Sequence, residues 1–449
     1  MNDRPVLFLL HALGGSARAW DGVVASLGTG FDAIAIDLPG FGDAQPAADV
    51  TVVGMADHVA AAVCKRGASR WLLVGHSMGG KIASVVAARA LAGEPGLFGL
   101  AGVVLLAASP SSPEPMDEAR RRKMIGWAAN NPLDDAAARA FVDANVGHAL
   151  SPAADRLALD DLQRASREAW LAWLERGSRE DWSGEVGKLE VPALIIVGSA
   201  DGDLGEAGQR ATNAIVYPRA SIAVEEGAGH LLPLERPKEV ADRIAHFWQQ
   251  TAGIGPVIPE DFVRLIASAR VSRRMRAALA VRALADDADY VPRVLSSLQL
   301  QTLRAVADRV VTQTDIAIDL AARIDAQLTQ GKGDGWRFAD MPPDREAYAM
   351  ALDGLAGFGA LAENDQQATL TRLAEGEFDL AALSKEQMKR WFEDLRADLV
   401  RIWVAHPSTM ARIGFDGFAN GGDGTRKQGF ERLAAGERES WEPLLEVSR

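Results

Sequence analysis

Short unbroken apolar runs alternate with amphipathic stretches through the first half of the chain. Pro5–Leu10, Ala33–Ile36, Trp71–Val74, Gly102–Leu106 and Val191–Val197 have the length of strands and no charged position, the pattern of strands buried on both faces. Ser221–Val224 is a sixth. Between them the apolar positions recur at helical spacing: a stretch ending at Leu27 that Ser16 can cap, then Thr51–Lys65, Lys81–Ala92, Glu206–Val216 and Pro237–Gln250. Strand and helix in alternation predict a parallel, doubly wound sheet. The alternation stops from Pro110 to about Lys188, where only helical patterns occur, broken by prolines and carrying Trp127, Trp170, Trp173 and Trp182. That insertion follows a strand end, the side on which such sheets bind ligands.

After Gly253-Ile254-Gly255-Pro256 the strand pattern vanishes. Helices are expected over Pro259–Arg270, Arg273–Ala285, Leu298–Gln313, Asp315–Thr329, Asp344–Leu361, Ala368–Glu375 and Lys385–Ile402. A loop at Thr329–Pro343 divides them, and a glycine-rich aromatic tail, His406–Arg426, follows. A chain of 449 residues exceeds one ordinary core. The division predicted is an α/β domain over 1–252, with a helical cap inserted at about 110–188, followed by a separate all-α domain over 253–449.

The chemistry-bearing stretch is Arg70–Ala92, RWLLVGHSMGGKIASVVAARALA. Strand, then Gly75-His76-Ser77-Met78-Gly79, then helix is the context of a nucleophile elbow, G-x-S-x-G. A serine on so sharp a turn stands above the sheet, and Gly75 and Gly79 leave room where a Cβ would collide. The helix N-terminus behind it aims N–H groups at any anion formed there. A glycine-rich turn with an incidental serine is the competing reading of the pentapeptide alone.

Composition removes several classes. With 61 acidic against 48 basic residues, the net charge of −13 argues against nucleic acid as a partner. A single cysteine, Cys64, allows no internal disulfide and no thiolate cluster. No apolar stretch reaches the roughly 20 residues that span a bilayer, so membrane insertion is not expected. The apolar run in the N-terminal MNDRPVLFLLHALGG is too short for a secretory signal, and a cytoplasmic location is the expectation. No cofactor fingerprint or metal-ligand spacing occurs.

The segments HALGG, IDLPGFGDA, VGHSMGG, VGSADGD and GAGHLLPLERP, in that order, make residues of about 4–252 resemble the α/β-hydrolase family. The resemblance implies an α/β-hydrolase fold with a mobile cap, Ser77 as nucleophile, Asp201 as the acid and His230 as the base. Asp203, two residues beyond Asp201, is an alternative acid. The chain order Ser…Asp…His is that of this fold. The oxyanion donors implied are the Met78 N–H and, from a loop that reads His11-Ala12-Leu13 where the family has His-Gly-x, the Leu13 N–H. His11 and His76 border the expected pocket, as substrate contacts or as structural histidines bonding carbonyls. Trp127, Trp170 and Trp173 are candidates for substrate contact from the cap, with packing as the other reading; Arg120–Lys123 could hold a carboxylate.

A second resemblance covers about 297–445. LQTLRAVADRVV, the IDAQL run, LAEGEFDLAALSKEQMKRWFEDLRADLVRIW and the HP…GFDGF…GGD tail are similar to the gluconate 2-dehydrogenase subunit 3 family. It carries no catalytic residue and implies association with a flavin-dependent sugar or alcohol dehydrogenase. The expected function is serine-dependent hydrolysis of a small-molecule ester or lactone through an acyl-enzyme. Two alternatives stand beside it: a non-catalytic accessory subunit of such a dehydrogenase, and the same triad turned to a carbon–carbon or carbon–nitrogen bond.

Overall fold

A computed structural model describes residues 4–44, 49–129, 133–268, 270–314, 316–331, 338–415, 417–418, 423 and 434–437. Much of the expected glycine-rich tail, residues 332–337 of the Thr329–Pro343 loop, Asp315 and most of the C-terminal part of the second resemblance lie outside them.

Six strands form one parallel sheet: β1 (Val6–Leu10), β2 (Asp32–Ile36), β3 (Trp71–His76), β4 (Leu100–Leu106), β5 (Ala193–Gly198) and β6 (Ala220–Glu225), in the order β2-β1-β3-β4-β5-β6. The register is continuous across the centre, Leu7 facing both Ala33 and Leu72, and Ile195 facing both Leu105 and Ile222. The unbroken apolar runs acquire their reason here. Successive side chains point to opposite faces, and each face has its own core. Phe8, Leu10, Leu73, Val103, Leu105 and Ile195 enter one; Leu7, Leu9, Leu72, Val74, Leu106 and Ile196 enter the other. The edge strands β2 and β6 are only half-buried and correspondingly less apolar.

The elements after β1, β2 and β3 open on side-chain caps or on the elbow. Ser16 Oγ accepts from Arg18 N at 3.2 Å, and Thr51 Oγ1 accepts from Gly54 N at 3.1 Å. The Pro110–Lys188 insertion is helical, with helices at Glu118–Trp127, Asp135–Asp143, Pro152–Arg164, Arg167–Ala172 and Ser183–Val186. The helix expected at Glu206–Val216 is two short ones, broken at Thr212 (φ −127°, ψ −84°).

Two compact units result, one of residues 1–253 with 258–285 and 416–449, the other of 254–257 with 286–415. Helices Glu260–Ala267 and Arg273–Arg282, expected with the all-α domain, lie in the first unit. The buried Arg276 guanidinium there donates to Gly93 O at 2.9 Å and Ser268 O at 3.1 Å, a tie that periodicity cannot reveal. Among its described residues the second unit holds helices and no strand. Its longest helix, Lys385–Val404, opens on a Ser384/Gln387 capping box and carries Trp391, Leu395 and Leu399 into a core with Leu303, Ile324, Leu352 and Leu373.

Candidate active site

β3 ends and the Met78–Leu91 helix begins at Ser77, whose φ of 50° and ψ of −118° lie where an L-residue is strained. Three backbone bonds hold it there: Ser77 N donates to Leu106 O at 3.0 Å, and Ser77 O accepts from Gly80 N at 2.8 Å and Ser109 N at 2.9 Å. The two motif glycines are required by contact. A Cβ on Gly75 would stand 2.5 Å from Gly79 O, and one on Gly79 would stand 2.6 Å from Leu10 O.

Ser77 opens into a cleft that it shares with His230, Asp201, Leu13, Glu114, Met116, Arg120, Met124, Phe141, Asn145, Trp173, Asp203 and Leu204. The sheet supplies Ser77, Asp201 and His230 from the C-terminal ends of β3, β5 and β6. The insertion supplies the apolar roof: Met116, Met124, Phe141 and Trp173. His230 Nδ1 lies 2.8 Å from Asp201 Oδ2, and both side chains are nearly closed to solvent. Asp203 makes no such contact. It is 46% exposed and faces Arg120 Nη1 at 3.8 Å.

Burial works against an imidazolium at His230, but the Asp201 charge and hydrogen bond outweigh it and raise the His230 pKa above the usual 6.5. Burial likewise disfavours the Asp201 carboxylate, and the His230 charge and bond, helped by His76 and Arg120, bring its pKa below the usual 3.8. The pair is therefore matched for holding a proton on Nδ1 and leaving Nε2 as the basic nitrogen. Met78 is the first residue of its helix, so its N–H belongs to the turn without intrahelical acceptors. Leu13 lines the same cleft. No positive φ falls at Ala12, and the bend is taken by Gly14 at φ 73°, so the loop does without a glycine at position 12.

Of the five side chains considered for substrate contact, Trp173 lines the cleft. The others are placed elsewhere. His11 is fully buried; Leu38 N donates to its Nε2 at 3.0 Å, which puts its proton on Nδ1, donating to Ala12 O at 2.7 Å. His76 is driven by burial and by the neighbouring His230 down to a pKa of about 3, so it is neutral, and its Nε2 lies 2.8 Å from His230 O. Trp170 is buried inside the insertion, its Nε1 donating to Met124 O at 2.9 Å. Trp127 is half-buried beneath the Lys123 ammonium. Each has the packing or carbonyl partner of its structural reading.

Three polar residues at or beside the site were not singled out from the sequence. Glu114 accepts from Ser109 Oγ at 2.7 Å. Asn145 accepts from Arg120 at 3.0 Å on its side chain and from His230 N at 2.8 Å on its backbone. Glu235 lies beneath the His230 loop. The first two come from the insertion, whose helical pattern says nothing about which loop meets the sheet. Glu235 stood within the GAGHLLPLERP segment, five residues past His230, and that offset was its one sequence signal. Among the described residues no cluster of His, Cys, Asp and Glu gathers as a metal site, and no helix is long and apolar enough to cross a membrane.

A parallel sheet with a serine on a strained strand–helix turn, a paired Asp–His beyond the ends of β5 and β6 and a helical cap define an α/β-hydrolase. Residues 7–243 match the model of the Alpha/beta hydrolase family, and the chain belongs to that family. Residues 297–417 match the model of gluconate 2-dehydrogenase subunit 3, so the two families occur in one chain. Among relatives, the 2-succinyl-6-hydroxy-2,4-cyclohexadiene-1-carboxylate synthase of Serratia proteamaculans (strain 568) is 29% identical over 256 residues, 55% of this chain and 93% of that one. A pimeloyl-[acyl-carrier protein] methyl ester esterase of Neisseria meningitidis serogroup C is 28% identical over 199 residues, 43% of this chain and 75% of its own. The esterase EaEST from Exiguobacterium antarcticum superposes with a TM-score of 0.50 at 16% identity, over 56% of this chain and 94% of that one, a likeness of fold.

Proposed function

We propose that the first unit hydrolyses a carboxylic ester or lactone through an acyl-enzyme on Ser77. One observation carries the reading: Ser77, on its strained turn, opens into the same cleft as a His230 ring bonded at 2.8 Å to the nearly buried Asp201. In this reading His230 Nε2 takes the Ser77 proton as Oγ attacks the acyl carbon, and Asp201 holds the tautomer and stabilises the imidazolium. The Met78 and Leu13 N–H groups face the oxyanion. Collapse of the tetrahedral adduct expels the alcohol, which takes the proton from His230. Water, deprotonated by the same nitrogen, then frees the acid and restores Ser77.

The apolar roof supports an acyl or alcohol portion with little charge, the setting in which fixed donors act most strongly. The helical unit, in this reading, is the docking module for a flavin-dependent dehydrogenase, supported by its match to a dehydrogenase subunit family. The test is hydrolysis of p-nitrophenyl esters and aliphatic lactones, with fluorophosphonate labelling. Label on Ser77 and loss of turnover in Ser77→Ala are expected; undiminished turnover in that variant would overturn the reading. A second use of the same triad, on a bond other than an ester, is favoured by the relative whose name is a synthase. A substrate panel in which only non-ester substrates turn over would select it.

A further inference from the structure

We infer that Glu235 is a positioning residue for His230, tying the backbone on both sides of that ring to the insertion segment 145–147. The inference rests on His230 being the base proposed above. His230 stands on a loop beyond the end of β6, and a loop does not by itself hold a ring to the tolerance that proton transfer needs. The loop's backbone is held by bonds that converge on one carboxylate.

The Glu235 side chain is 0% exposed. Its two oxygens accept from Gly229 N at 3.0 and 3.1 Å and from Leu231 N at 3.1 Å, the residues immediately before and after His230. Oε2 also accepts from Gly147 N, in the insertion, at 2.8 Å. The segment bonded to Glu235 reaches His230 a second way: Asn145 O accepts from His230 N at 2.8 Å and from Leu231 N at 3.2 Å. The two segments run flush, since a Cβ on Gly229 would stand 2.5 Å from Gly147 N. The carboxylate is brought there by the short Leu232–Glu235 helix, in which Glu235 N returns to Leu231 O at 3.0 Å. On its outer side His148 Nδ1 lies 3.6 Å away, with Arg236 Nη1 2.6 Å from His148 Nε2.

Three peptide N–H groups meeting at one side chain require an acceptor on every side. A carboxylate has two oxygens and about four lone pairs, whereas an amide turns one of those positions into a donor facing a donor. Glu235→Gln is therefore the informative variant, nearly identical in shape and wrong in one bond. Glu235→Asp keeps both acceptors on a stem one methylene shorter and ranks between it and the wild type. Glu235 acts through the backbone of His230 and touches no reacting atom.

The test measures ester hydrolysis by the full chain, wild type and both variants, across pH, with thermal unfolding in parallel. The charged and titratable groups facing His230 are Asp201, Glu114, Arg120 and His76. A ring moved off Asp201 loses the attraction that raises its pKa, so the acid limb of kcat/KM shifts to lower pH. For Glu235→Gln we expect kcat to fall about 30-fold or more, with KM within about threefold, and that limb to shift. Glu235→Asp should show a smaller fall and a smaller shift, and it carries the test alone if the glutamine variant does not fold. Wild-type kcat in the folded variants, or a lower kcat with the acid limb unmoved, overturns the inference. Ser77→Ala is assayed alongside: if it retains hydrolysis, the proposed function fails, whereas its inactivity beside a wild-type-like Glu235→Gln sinks the positioning role alone.

Discussion

Replacing Asp201 by asparagine removes one charge at one distance. In the wild type His230 Nδ1 lies 2.8 Å from Asp201 Oδ2, and the aspartate side chain is 9% exposed. At an effective dielectric near 20, an imidazolium and a carboxylate at that separation attract by about 6 kcal/mol. An asparagine carbonyl in the same place keeps an ordinary hydrogen bond, worth about 1 kcal/mol. In the proposed mechanism the difference, about 5 kcal/mol, falls on the transition state in which His230 is protonated, and at about 1.4 kcal/mol per decade it predicts a loss of roughly 10^3 to 10^4 in kcat. Asparagine presented the other way, with its NH2 toward the ring, favours the wrong tautomer and adds to the loss. The assay is steady-state hydrolysis of p-nitrophenyl butyrate, with Asp203→Asn as the control. Asp203 is 46% exposed and faces Arg120, so its variant should stay within about threefold of wild type. The pH profile gives a second reading. In the proposed mechanism His230 must be neutral to accept the proton, so wild-type activity should fall as pH drops through its raised pKa. In Asp201→Asn burial remains and the opposing charge is gone, so that limb moves to lower pH. An Asp201→Asn enzyme that keeps more than about a tenth of wild-type kcat refutes the reasoning, as does an acid limb that stays in place.

Gly79→Ala sets a Cβ 2.6 Å from Leu10 O, backbone that cannot swing away, and should lower stability by about 1–3 kcal/mol in urea melts. Lys81 is fully buried on the elbow helix with its Nζ on Gly177 O and Glu180 O, and burial lowers its pKa from 10.5 to about 8. Between those values the unfolded chain binds the proton that the folded chain has released, so stability rises with pH there; Lys81→Met should abolish that rise in urea titrations at pH 8 and 10. In the helical unit, buried Asp325 accepts from the backbone N–H of Arg293, Val294 and Leu295 and from Tyr290 Oη at 2.6–3.1 Å. Asp325→Ala strands those donors and should cost about 3 kcal/mol or more, read as a lower melting temperature.

The strands were legible because all-apolar runs such as Pro5–Leu10 can be buried only between two cores. The elbow was legible because glycines at 75 and 79 flank a serine between strand and helix. His230 followed from the order of the motifs, and the acid only as Asp201 or Asp203. The tryptophans could not be told apart, since Trp170 and Trp173 carry the same helical signal while one packs inside the insertion and the other faces the cleft. Helix Arg273–Arg282 was foreseen, but the buried Arg276 that goes with it was not.

What the sequence alone determined is whatever depends on local periodicity and on residues within a few positions of one another: the alternation, the insertion, the helical second half and the serine's turn. The tertiary structure decided the choices between chemically equal candidates. Asp201 and Asp203 are two residues apart on one loop, and only the fold directs one to His230 and the other to Arg120. The same holds for Glu235, whose partners Gly147 and Gly229 come from segments some eighty residues apart in the chain. Hydrogen bonds at such separation are set by how strands and insertion pack, and no pattern along the chain records that.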